Sequence, residues 1–200
     1  MNKNLLYFTD DCIYLYNSKK NKIYRNVIPK GIIIHGRIAN INKFIGKFET
    51  ILKDNNLNNG LFGEKIKIIV HSKYTSADIT LLKNIFEKLN YRNIKIDNEI
   101  KYYKLNEKNA WINRNKSYML LSYIDEYKKI VTYLLEEGLF FSEDDMYKYI
   151  KKRIGEKDLF LIGNTKKVEA MYNIFEKKYR NKTYTFSDCE LFIINSVIGL

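Results

Sequence analysis

The chain has 200 residues, 46% of them hydrophobic and 29% charged, with a formal net charge of +12, which supplies a core and excludes a disordered chain. Cys12 and Cys189 lie far apart with no ligand spacing, so a reducing, cytoplasmic setting is expected. No apolar run approaches the roughly 18 residues of a membrane span, and the N-terminal run is too short for a secretion signal.

Taken in order, residues 5–8 and 12–16 are β-prone runs around Thr9-Asp10-Asp11, and residues 22–27 follow a turn at 17–21, giving a three-stranded meander. Pro29, the single proline, precedes Gly31-Ile32-Ile33-Ile34-His35-Gly36-Arg37-Ile38. Asn40 is a suitable cap for a helix whose apolar residues, Ile41, Phe44, Ile45, Phe48, Ile51 and Leu52, fall on one stripe. Residues 66–70 form a continuous apolar strand of the kind buried on both faces. Thr75-Ser76-Ala77-Asp78 reads as a capping box for a helix ending near Asn90, and residues 94–96 as another strand.

The polar stretch 106–116 around Trp111 reads as a linker between a first lobe at 1–105 and a second at 117–200. The second lobe opens on residues 118–141, YMLLSYIDEYKKIVTYLLEEGLFF, taken as a second meander with turns at 124–126 and 136–138 and a third strand at 139–141. Ser142 then caps a helix to about Arg153, residues 159–162 form a buried strand, and Val168, Met171, Tyr172 and Phe175 are the stripe of the next helix. A short strand at 183–185 and a last helix from Ser187 close the chain. That helix has no Lys or Arg, so burial is expected for it in preference to a membrane surface. Both halves therefore read strand, strand, strand, helix, strand, helix, strand, which predicts two α/β lobes with mixed sheets flanking a cleft.

In this duplicated order the sequence resembles the actin-like ATPase superfamily, nearest to its PilM-, FtsA- and MreB-type bacterial members. The local likeness lies in residues 28–38, in the strand at 66–72 with the helix after it, and in residues 91–99. The resemblance implies a two-lobed, ribonuclease H-like fold of duplicated βββαβαβ units. It also implies two glycine-bearing phosphate hairpins and an adenosine loop. The first hairpin corresponds to Thr9, Asp10 and Asp11, the second is aligned with Ser122, Asp125 and Glu126, and the adenosine loop with Gly163 and Asn164. Glycines let backbone N–H groups approach phosphate, and neither hairpin has them. Acidic residues stand there instead, and like charges 4 Å apart repel by roughly 4 kcal/mol at an effective dielectric of about 20. A vestigial nucleotide cleft without cofactor is therefore expected.

Other candidates have plainer readings beside them. Asp10, Asp11, Asp125 and Glu126 could together hold a hard cation, though acidic residues are common in turns. His35 and His71 have no nucleophile placed near them and read as structural. Trp111 with Tyr102 and Tyr103 reads as aromatic packing or a docking patch. The excess of Lys and Arg lies mostly before residue 106; it is either a compositional bias or a nucleic-acid surface whose affinity would fall steeply with salt. The expected function is a non-catalytic scaffold of a bacterial membrane-associated machine. A PilM-like likeness implies a type IV pilus platform and docking of an inner-membrane partner's cytoplasmic tail. The division or cell-shape apparatus comes next, with self-association possible. The enzyme alternative is an ATPase using Asp10 or Asp125 as metal ligand.

Overall fold

The computed structural model describes residues 4–57, 65–136, 138–163, 165–178 and 183–185. The chain divides into two compact units, Met1–Glu99 and Ile100–Leu200, each with its own sheet.

In the first unit the meander is β1 (Asn4–Phe8), β2 (Cys12–Asn17) and β3 (Lys22–Val27). A small hairpin, β4 (Ile33–Ile34) and β5 (Arg37–Ile38), precedes α1 (Ile41–Asp54). Then come β6 (Lys65–Val70), α2 (Ser76–Lys88) and β7 (Asn93–Asn98). The strands lie in the order β3-β2-β1-β6-β7, with β1, β6 and β7 parallel and the meander antiparallel. Both helix starts are fixed by the caps that the sequence predicts: Asn40 accepts the Lys43 N–H at 3.0 Å, and Thr75 and Asp78 close a reciprocal capping box. The apolar stripes of α1 and α2 pack on one face of the sheet, where Phe48 stacks on Phe44 at 6.0 Å and meets Phe86 edge-on at 5.4 Å. Each such side chain contributes on the order of 2–3 kcal/mol by leaving water.

The second unit repeats this plan. A turn of 3-10 helix, Glu99–Tyr102, leads into β8 (Asn109–Arg114), β9 (Tyr118–Ile124) and β10 (Ile130–Glu136). After these come α3 (Glu143–Ile154), β11 (Asp158–Gly163), α4 (Thr165–Lys178) and β12 (Thr183–Thr185). The order β10-β9-β8-β11-β12 matches that of the first sheet. Ser142 caps α3 by accepting the Asp145 N–H at 3.1 Å. The core is built from alternate residues of β8 and β11, Ala110, Ile112, Leu159 and Leu161, against Ile150, Ile154, Val168, Met171 and Phe175. On the other face, Tyr103, Trp111, Phe160 and Tyr184 stack in a row with centroid separations of 5.0, 4.6 and 4.7 Å.

Two expectations need correction. Residues 106–116 are not a linker: Asn109–Arg114 is the first strand of the second sheet, pairing parallel to β11 and antiparallel to β9. Its asparagines and arginine made it look polar, yet five of its six residues are buried. The second meander is accordingly β8-β9-β10, and residues 139–141 form no strand; Phe141 is fully exposed. The last predicted helix lies outside the described residues, as does Cys189.

Candidate functional site

Sheet pairing places equivalent loops of the two units. In the first, Phe8 and Ile13 form the last pair of the β1–β2 hairpin, and the Thr9 N–H donates to the Cys12 carbonyl at 2.9 Å across the tip Asp10-Asp11. In the second, Arg114 and Met119 form the last pair, and the Asn115 N–H donates to the Tyr118 carbonyl at 2.9 Å across the tip Lys116-Ser117. The counterpart of Asp10-Asp11 is therefore Lys116-Ser117. No residue at either tip has positive φ, so both are ordinary turns that need no glycine.

In the first unit the hairpin end is a clasp. Asp10 is buried, and its Oδ1 accepts the Gly36 N–H at 2.8 Å. Gly36 and His35 both have positive φ, as a two-residue hairpin between β4 and β5 requires, and glycine is the residue suited to that backbone. The Gly36 carbonyl accepts from the Tyr74 hydroxyl at 2.7 Å. Tyr74 packs edge-on against the buried ring of His71, whose Nδ1 accepts the Lys73 N–H at 3.1 Å. Burial, reinforced by the Arg37 charge, holds the His71 pKa down at about 4. Arg37 pairs with Asp78 at 3.5 Å and donates to the Lys73 carbonyl. Burial would raise the Asp78 pKa, but the Thr75 N–H and hydroxyl and the Arg37 charge outweigh it, and the net shift is downward. Thr9 donates to Asp11 Oδ1 at 3.1 Å, and the buried Glu99 accepts from the Tyr7 hydroxyl at 3.3 Å. Asp10 thus orders the protein's own backbone. Replacing it with alanine strands the buried Gly36 N–H and is expected to cost about 2 kcal/mol, and asparagine, which keeps an acceptor, less; urea denaturation of the three proteins measures this, and equal loss in both variants would contradict it.

In the second unit Asn115 donates to Asn113 Oδ1 at 3.0 Å, and Asn113 donates to the Tyr103 hydroxyl at 3.3 Å, all three being buried. Gly163 lies opposite Arg114, with φ +132, and a Cβ built on it would stand 1.9 Å from the Arg114 carbonyl oxygen. Beside this end a cavity of about 410 Å³ is lined by Arg114, Met119, Phe140, Glu143, Lys167 and Met171 among others.

The residues predicted from sequence are therefore dispersed. Thr9, Asp10 and Asp11 are at the first hairpin tip and Gly163 at the matching end of the second sheet, while Asn164 lies outside the described residues. Ser122, Asp125 and Glu126 are not at the second hairpin: Ser122 lies within β9, and Asp125 and Glu126 are in the β9–β10 turn at the opposite end of that sheet. Ser122 is mid-strand and shares a 3.0 Å hydrogen bond with Thr132. Asp125 closes its own turn, its Oδ1 accepting the Tyr127 and Lys129 N–H groups at 3.0 and 2.8 Å. The acidic repulsion expected at the second phosphate loop is thus misplaced, and the hairpin that stands there is basic. Among the described residues no three His, Cys, Asp or Glu side chains gather as a metal site. The linker expectation hides Asn113, Arg114, Asn115 and Lys116; the alternation of Ala110 and Ile112 with larger neighbours is the sequence signal of their strand.

Two units of βββαβαβ, each with a mixed five-stranded sheet and helices between its parallel strands, make this the actin-like ATPase fold. MreB5 of Spiroplasma citri, solved bound to AMPPNP, matches 98% of this chain and 95% of its own at TM-score 0.69 and 11% identity. EutJ from Carboxydothermus hydrogenoformans matches over 98% and 89% at TM-score 0.69 and 9% identity. AlfA from the B. subtilis plasmid pLS32, in its filament structure, matches over 92% and 91% at TM-score 0.60 and 10% identity. No family model and no curated protein matches the sequence. Among the described residues no helix is long and apolar enough to cross a membrane.

Proposed function

We propose that this protein is an actin-like assembly protein that works without hydrolysing ATP, as a cytoplasmic scaffold in a bacterial membrane-associated machine. The observation that carries the reading is the Asp10 carboxylate. At the hairpin where the fold family holds metal-bound phosphate, it is turned into the protein and engaged by the Gly36 N–H, on a tip without glycine. The first unit's residues do not fit a magnesium triphosphate. The described neighbour AlfA, solved as a filament, is consistent with an assembling role. A type IV pilus platform of PilM type, taking the cytoplasmic tail of an inner-membrane partner, is the first machine to test, and the division or cell-shape apparatus the second.

One observation favours a second reading. The second hairpin carries Lys116 at its tip, and Arg114, the residue that ends β8, lines the 410 Å³ cavity together with Lys167, which suits an anion bound by that unit alone. Isothermal titration with ATP and Mg²⁺ separates the two: the scaffold reading expects no binding in the micromolar range. Micromolar affinity lost in Lys116→Glu would replace it with the second reading.

A further inference from the structure

Among the described residues four strands end the two five-stranded sheets: β3 and β7 in the first, β10 and β12 in the second. An open strand edge is a template for pairing with another chain, and proteins blunt it with lysine, proline, bulges or brevity. β3 carries Lys22 and Arg25, β7 carries Lys95 and Asp97, and β12 has three residues. β10 has no such guard. Its seven residues, IVTYLLE, contain no lysine, arginine or proline and pair with β9 without a bulge. Ile130 is 54% exposed, and Tyr127, in the turn before it, 74%.

The residues at its ends indicate what would cover it. Lys128 and Lys129 precede the strand and Glu136 ends it, and the sequence over 128–137 runs KKIVTYLLEE. Reversed, it keeps an apolar middle and exchanges its charges. An antiparallel copy therefore sets bases against acids at both ends, whereas a parallel copy sets like against like. We propose that β10 pairs antiparallel with β10 of a second copy of this chain, joining two five-stranded sheets about a two-fold axis. Backbone groups directed away from β9 alternate along β10, so facing residues have the same parity in sequence. The axis then passes through Thr132 or Tyr133, and brings the Lys128-Lys129 end of one copy to the Glu136 end of the other. The pairing deepens the assembly reading and rests on it for its purpose, while the contact itself follows from the edge.

The test is sedimentation velocity of the full chain over a range of concentrations, with circular dichroism as the check on folding. The wild type is expected to dimerise, more weakly as salt rises. Reversing one end, K128E with K129E or E136K with E137K, sets like charges opposite each other and weakens the dimer at least about tenfold. Reversing both ends in one chain restores it, and mixing the two single-end variants gives a heterodimer. A wild type monomeric at every concentration, or a dimer indifferent to single-end reversal, overturns the pairing. A monomer that still captures a partner's tail would leave the assembly reading standing, and a dimer that binds ATP with micromolar affinity would do the reverse.

Discussion

Gly163→Ala is expected to destabilise the second unit by about 4 kcal/mol, one of the largest effects of any single methyl group in the chain. Two physical terms combine. The backbone there has φ +132, which L side chains rarely adopt, and the added Cβ would meet the Arg114 carbonyl oxygen at 1.9 Å, with its carbon at 2.5 Å. Both obstacles are main chain, so no side chain can swing aside, and β11 must separate from β8 at the end where the candidate anion hairpin begins. In the first sheet the β1–β6 pairing ends at Tyr7 and Ile69, and Val70, the next residue, holds the place equivalent to Gly163, so the requirement for glycine belongs to the second sheet alone. Gly46→Ala is the control: it sits within α1 with open space around it and should instead stabilise by about 1 kcal/mol. Thermal or urea unfolding of the two variants tests both signs, and a Gly163→Ala protein as stable as wild type would show that the two strands do not approach this closely.

His71 should make stability depend on pH in a window of its own. Its folded pKa, about 4, lies below the ordinary 6.5, because burial and the Arg37 charge disfavour the imidazolium. Between those values the unfolded chain binds the proton and the folded chain does not. The contribution is fully present above pH 6.5, falls as the pH drops toward 4, and amounts to roughly 3 kcal/mol across the window. Asp78, whose pKa is lowered, loses its contribution only below the ordinary carboxylate value of 3.8, so the two effects separate. His71→Asn, which keeps an acceptor for the Lys73 N–H but does not titrate, should flatten the profile between pH 6.5 and 4 relative to wild type. Parallel profiles for the two proteins would sink the assignment.

The fold was legible wherever local chemistry and tertiary demand agree. The Asn40 cap, the Thr75–Asp78 box and the stripes through Phe44, Phe48 and Phe86 specify helices and the faces they bury. The β6 and β11 runs read as buried parallel strands because helices cover them. The second unit's first strand was not legible. Asn109, Asn113 and Asn115 are buried polar residues satisfied by one another and by the Lys104 carbonyl and the Tyr103 hydroxyl, and a polar composition alone does not announce that satisfaction. Missing that strand moved the second hairpin by one turn, from Lys116-Ser117 to Asp125-Glu126, and reversed the charge assigned to it. Thr9, Asp10 and Asp11 do lie at the β1–β2 turn, but that Asp10 faces inward depends on Gly36, which the chain brings back through the β4–β5 hairpin.

The row of stacked rings on the second sheet has a practical consequence. The chain contains one tryptophan, and Trp111 lies inside that row, shielded from water between Tyr103 and Phe160. Intrinsic emission excited at the indole band therefore reports the melting of the second unit alone, and the backbone signal reports both. Where the two traces part, the halves of this duplicated protein come undone separately, and the damage done by Gly163→Ala and by protonation of His71 can be assigned to its own half without any added label.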